Sequence, residues 1–194
     1  PAPPNPWTRL YAGWSNTIVP SKSNKIELID SLHNQILKIP INDNEYFLIE
    51  NRNNWFRKGV DIDSARYIIW EESNIFPPYI NVLIDSSNIS KDEYGVITSI
   101  PNYNLGLPGS GLLIWHIDEK IINDGINSYS VNSNRELRGI DLEEADGAQD
   151  MGFVTNLLTD PSSGYWGDMW FAENLEYYRA NSTNSMNFSS FTYP

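Results

Sequence analysis

The chain has 194 residues, of which 40% are hydrophobic and 13% aromatic, with no cysteine and a net charge of −12. Length and apolar content suffice for one sizeable core, so a single domain over 1–194 is expected, and the lack of cysteine excludes disulfides, thiolate metal sites and cysteine nucleophiles. The negative charge excludes a nucleic-acid partner, since no counterion release rewards contact with a phosphate backbone, and apolar runs far shorter than about 20 residues predict no membrane insertion.

Pro6 followed by "WTRLYAGW" predicts a short helix ending near Gly13. Short runs dense in β-branched and aromatic residues then recur between polar breaks: "KIELI" (25–29), "QILKI" (35–39), "EYFLIE" (45–50), "RYIIW" (66–70), "YINVLI" (79–84), "YGVITSI" (94–100), "GLLIWHI" (111–117) and "RGIDLEEA" (138–145). Their length and composition predict strands. Residues 53–104, with their own Trp55 and Trp70, read as an insertion. A second helix is expected over 169–180 with Asp168 as its N-cap, and residues 181–194 read as an extended tail. The expected fold is mainly β, α+β at most: an antiparallel sheet or sandwich-like domain with one or two short helices.

Charge concentrates in the second half, where 13 acids and 3 bases lie between Asp118 and Glu176. The two histidines, His33 and His116, are far apart in sequence and neither belongs to a His-x-x-x-His pair, so the common zinc site of two or three imidazoles cannot be built from them. Period-two alternation sends Leu113, Trp115 and Ile117 to one face of a strand and Leu112, Ile114, His116 and Asp118 to the other. Both faces are apolar until the end of the run, which predicts a central strand and a half-buried His116 with Asp118 as a charged neighbour.

"GIDLEEADGAQD" (139–150) carries five carboxylates and no base: Asp141, Glu143, Glu144, Asp146 and Asp150. Alternation puts Asp141 and Glu143 on one side and Glu144 and Asp146 on the other, with Asp150 returning after an Asp-Gly turn. Such a cluster holds a hard cation such as calcium through oxygen ligands, forms a solvated acidic edge, or contains an acid/base pair for hydrolysis. The spacing does not fit an EF-hand loop. "GLPGSG" lacks the lysine of a phosphate-binding loop, so its glycines are expected to shape the turn into the strand at 111. The seven tryptophans read as core and corner packing or as a carbohydrate-stacking platform.

In order along the chain, "PPNPWTRLYAGW", "EYFLIENR", "LPGSGLLIWHIDE", "GIDLEEADGAQD" and "GYWGDMWF" resemble the later half of the peptidase module in the immune inhibitor A family of secreted zinc metallopeptidases. The resemblance implies an extracellular or cell-surface, calcium-stabilised module whose zinc-binding His-Glu-x-x-His helix stands upstream of the region corresponding to Pro1. The sequence contains no such motif, and residues 53–104 stand where the family often has a short link.

The expected function is therefore a non-autonomous scaffold and cleft wall, inactive as an isolated chain. Zinc would come only from an upstream segment or a partner chain. Asp141, Glu143, Glu144, Asp146 and Asp150 are candidate calcium ligands, and Glu50, Arg52, His116 and Asp118 are candidates to line the cleft or support the metal's ligands. Expected partners are the upstream catalytic segment, other protein chains or further copies of this one. The alternative is a non-catalytic extracellular binding or structural module, surface-bound or filament-forming, that retains the fold.

Overall fold

The computed structural model describes residues 4–20, 25–29, 35–54, 90–99, 104, 107–152, 164 and 166–181. The chain divides into two compact units, one of Pro4–Arg52 with Gly111–Pro194 and one of Asn53–Ser110 with Pro1–Pro3. In chain order the elements are α1 (Pro6–Tyr11), β1 (Asn16–Ile18), β2 (Gln35–Pro40), β3 (Glu45–Arg52), β4 (Ser90–Lys91), β5 (Ile97–Ser99), β6 (Gly111–Asp118), α2 (Glu119–Gly125), β7 (Ile140–Glu143) and α3 (Leu175–Ala180). The larger unit holds a five-stranded sheet of order β1-β2-β3-β6-β7. Only β1 and β2 run parallel within it, and every other pairing is antiparallel. The protein is thus mainly β with few helices. In the smaller unit β4 and β5 form an antiparallel pair.

Local chemistry sets the boundaries. The Asn5 side chain accepts from the Thr8 amide and Pro6 occupies the first turn of α1, where a missing N–H costs nothing. Between β2 and β3 the Asn42 side chain accepts from the amides of Asn44 and Glu45, closing a tight turn. That turn fixes the register Leu37 to Ile49 and Ile39 to Phe47.

Strand β3 alternates strictly: Tyr46, Leu48, Glu50 and Arg52 are buried, while Glu45, Phe47, Ile49 and Asn51 are half-buried. β6 lies between β3 and β7, as its two apolar faces predict, and pairs Tyr46 with Ile117 and Leu48 with Trp115. On this inner face Ile36, Tyr46, Leu48 and Ile117 pack with Ile122 of α2 and with Trp7 and Leu10 of α1. Leu113, Leu142 and Met169 form a second cluster. Leu48 and Ile117 are fully enclosed, each worth about 1.5–3 kcal/mol of apolar burial.

The start of β6 is also bridged to Trp170, through Leu112 N–H to the Trp170 carbonyl and Trp170 N–H to the Leu112 carbonyl. Residue 111 has to be glycine for this contact, because a Cβ there would stand 2.8 Å from the Trp170 carbonyl oxygen.

Several local expectations change. "KIELI" is not a strand: residues 25–29 carry no regular structure. The helix expected over 169–180 is confined to Leu175–Ala180 and capped by Asn174, because Met169 is packed in the core and Trp170 is tied to β6. Helix α2 and the three-residue β1 carried no separate signal. "RYIIW", "YINVLI", most of the 53–104 excursion, His33 and the tail from 182 onward lie outside the described residues. Among the described residues no helix is long and apolar enough to cross a membrane.

Candidate metal centre

Where β7 ends, the chain enters the acidic turn. Glu144 is buried, and its carboxylate accepts from the amides of Asp150 and Met151, both at 2.9 Å, cinching residues 144–151 into a closed loop. Inside it, Asp146 accepts from the Ala148 amide, and Gly147 takes a positive φ of 75° while its amide donates to the Glu144 carbonyl. A second segment meets this loop from far along the chain. The carbonyl of Asp168, in a 3₁₀ turn over Trp166–Asp168, accepts from the Ala145 amide at 3.0 Å. Asp168 is 2% exposed, and one carboxylate oxygen each from Glu144, Asp146 and Asp168 lie within 4.8 Å of one another.

Asp150 stands beside this group, and its Oδ1 is enclosed without a hydrogen-bond partner. Burial raises the Glu144 carboxyl above the ordinary carboxylate range, Asp150 and Asp146 adding to the rise while the two amide hydrogen bonds oppose it. Burial also raises Asp150, with the charge of Asp146 adding to it. Carboxylates gathered this closely with low exposure repel one another, and a hard cation bound through oxygen relieves that repulsion. An all-carboxylate donor set fits calcium by chemistry. It is the one group of three or more potential metal-binding side chains that converges among the described residues, and it contains no histidine.

The other acids of 139–150 stand elsewhere. Asp141 and Glu143 project from the opposite face of β7, in register with His116 and Ile114. Asp141 is held by Arg138 at 2.8 Å, and a second Arg138 nitrogen donates to the Met151 carbonyl. Glu143 is raised by burial, partly offset by His116 and increased again by Asp141. Of the five acids singled out in the sequence, Glu144 and Asp146 converge and Asp150 adjoins them. Asp168 joins them although its sequence context suggested a helix cap; its contribution is long-range, so no local spacing announces it.

His116 projects from the same face as Asp141, its ring 5.5 Å from that of Phe47 and its Nε2 3.3 Å from a Glu45 oxygen. Asp118 turns into the first turn of α2, accepting from the amides of Lys120 and Ile121. Glu50 and Arg52 are on the inner face: Arg52 lies 2.8 Å from the Glu50 carboxylate, which also accepts from Arg9. The sheet separates His116 from Glu50 and Arg52, so these do not converge.

No family model, curated protein or solved structure matches this chain. The acidic loop and the 3₁₀ turn can hold a cation and so tie two distant segments of the chain together.

Proposed function

We propose that this chain is the downstream, non-autonomous part of an extracellular immune inhibitor A-like metallopeptidase, a β-built scaffold stabilised by calcium at Glu144, Asp146 and Asp168. One observation carries the reading: the segments that bear the resemblance are neighbours in space. "EYFLIENR" pairs along its length with "GLLIWHID" as β3 and β6. "DLEEADG" and "GYWGDMWF" supply the three converging carboxylates. Calcium there would cross-link the end of β7 to the segment bridged to β6. Zinc, where present, would be held by imidazoles from upstream residues and would supply a Lewis acid and an activated water for peptide hydrolysis.

Calorimetry with millimolar calcium and with chelator tests the calcium reading. Ligand at a hundredfold excess over Kd stabilises the native state by about 2.7 kcal/mol. A clear rise in Tm with calcium is expected, lost in Asp146→Asn and Asp168→Asn, and a melting curve indifferent to chelator would refute it. The isolated chain is expected to leave casein intact in the presence of zinc, so chelator-sensitive turnover by these residues alone would refute the non-autonomous role. A non-catalytic binding module is the second reading, favoured by aromatic side chains that α1 and its C-terminal turn hold in solvent.

A further inference from the structure

Helix α1 packs Trp7 and Leu10 against the core, yet a charge shares that inner side with them. Its buried side carries a guanidinium, Arg9 at 6% exposure, whereas Tyr11 is 72% exposed and Trp14, just past the helix, 64%. Transfer energetics favour the reverse, so a buried charge beside solvated aromatic rings calls for a specific cause. The cause is the ion pair of Arg9 with Glu50 on the inner face of β3, which fixes the rotation of the helix. With the helix so placed Tyr11 faces solvent, and Trp14 does the same from the turn that follows.

The Tyr11 ring and the backbone at Trp14 are also fixed in place. Tyr11 stacks on Trp7 with ring centroids 5.0 Å apart and planes at 15°. The Trp7 indole N–H donates to a Glu119 oxygen at 3.2 Å, and the same oxygen accepts from the Tyr46 hydroxyl. The Lys38 ammonium lies 3.5 Å from the centre of the Tyr46 ring. Trp14 follows Gly13, whose φ of 71° turns the chain, and the Trp14 amide donates to the Arg9 carbonyl at 2.8 Å. A ring ordered before a ligand arrives, as Tyr11 is, loses little freedom on binding it.

We propose that α1 and the turn after it form a binding platform for a neutral polysaccharide. The C–H face of a sugar ring lies on the open side of Tyr11 or on Trp14, and the partly exposed Glu119 and Lys38 at the border accept from and donate to its hydroxyls. A protein partner is a poorer fit. A stable interface needs about 800 Å² from each side around an apolar centre, and two rings bordered by a carboxylate and an ammonium do not supply it. The net charge of −12 disfavours anionic glycans.

Affinity electrophoresis in gels containing hydroxyethylcellulose, glycol chitin or polygalacturonate decides the matter, with thermal unfolding of each variant as a control for folding. The wild-type chain is expected to be retarded by at least one neutral polymer, with retardation reduced at least fivefold in Tyr11→Ala or Trp14→Ala and kept in Tyr11→Phe. Both alanine variants alter exposed side chains and are expected to melt like the wild type; tryptophan fluorescence of the wild type titrated with cellohexaose and chitohexaose gives a reading that needs no variant. The proposal is overturned by no retardation and no fluorescence change with any neutral glycan, by retardation equal in wild type and alanine variants, or by retardation in polygalacturonate alone. It is overturned too if light scattering shows a dimer that Tyr11→Ala dissolves while neutral glycans are ignored.

Discussion

Glu50 illustrates how one side chain sets a large piece of geometry. It sits 3% exposed between Arg9 and Arg52, themselves 6% and 3% exposed, and burial lowers the Arg9 pKa despite the favourable charge of Glu50. Stripping one partner from a buried ion pair leaves an uncompensated charge and costs about 3–5 kcal/mol. Glu50→Ala is accordingly expected to lose stability of that order in urea unfolding, and Tyr11 should become labile in hydrogen exchange around α1. A loss below about 1 kcal/mol would show that the triad does not hold the helix. The "ENR" of the resemblance thus has a packing role in this structure, on the face of the sheet opposite His116.

At the scale of elements, Asp118 has an unambiguous task. Strand β6 passes directly into α2, and the Asp118 carboxylate satisfies two amides that the first helical turn leaves without intrahelical partners. Replacing an N-cap acid by alanine costs about 1 kcal/mol, so Asp118→Ala should lower the urea midpoint while Asp118→Asn stays close to wild type. Strands β2, β3 and β6 are legible in the sequence because dense apolar residues coincide with clean turn chemistry at Asn42 and at the glycines before β6. Helix α2 is not legible, because "EKIINDG" continues an apolar strand without a break and only the capping geometry of Asp118 marks the change of period. β1 has three mostly exposed residues and therefore no pattern to read. "KIELI" has the pattern yet is not recruited into a ladder, a reminder that alternation describes a face and does not provide a partner.

For the whole molecule, charge is the main control. Glu143, Glu144 and Asp150 are all raised, burial being the first cause in each. A carboxyl whose folded pKa exceeds its unfolded value binds protons more tightly when folded. Its contribution to stability is complete below about pH 4 and is lost as pH climbs through the raised value. In chelator these three groups should therefore make the chain less stable towards neutrality. Calcium, which needs carboxylates, should restore what is lost at Glu144 and at the adjoining Asp150, though not at Glu143, so the calcium-induced rise in Tm is expected to grow between about pH 4 and pH 7. An increment independent of pH would separate the cation from Glu144 and Asp150. The acidic density of 139–150 was plain from composition, but the pairing of Glu144 and Asp146 with Asp168 depends on the bridge between Leu112 and Trp170, which no local pattern encodes.

Arg52 and Gly111, the last and first residues of β3 and β6, are partners on one rung of the sheet ladder. Residues 53–110 thereby leave and re-enter the larger unit at one rung, so their two ends are already brought together. Closing such a loop costs only about 0.6 kcal/mol for each doubling of its length. A change in the length of this excursion is therefore expected to cost the larger unit little, while the rung that anchors it stays where it is.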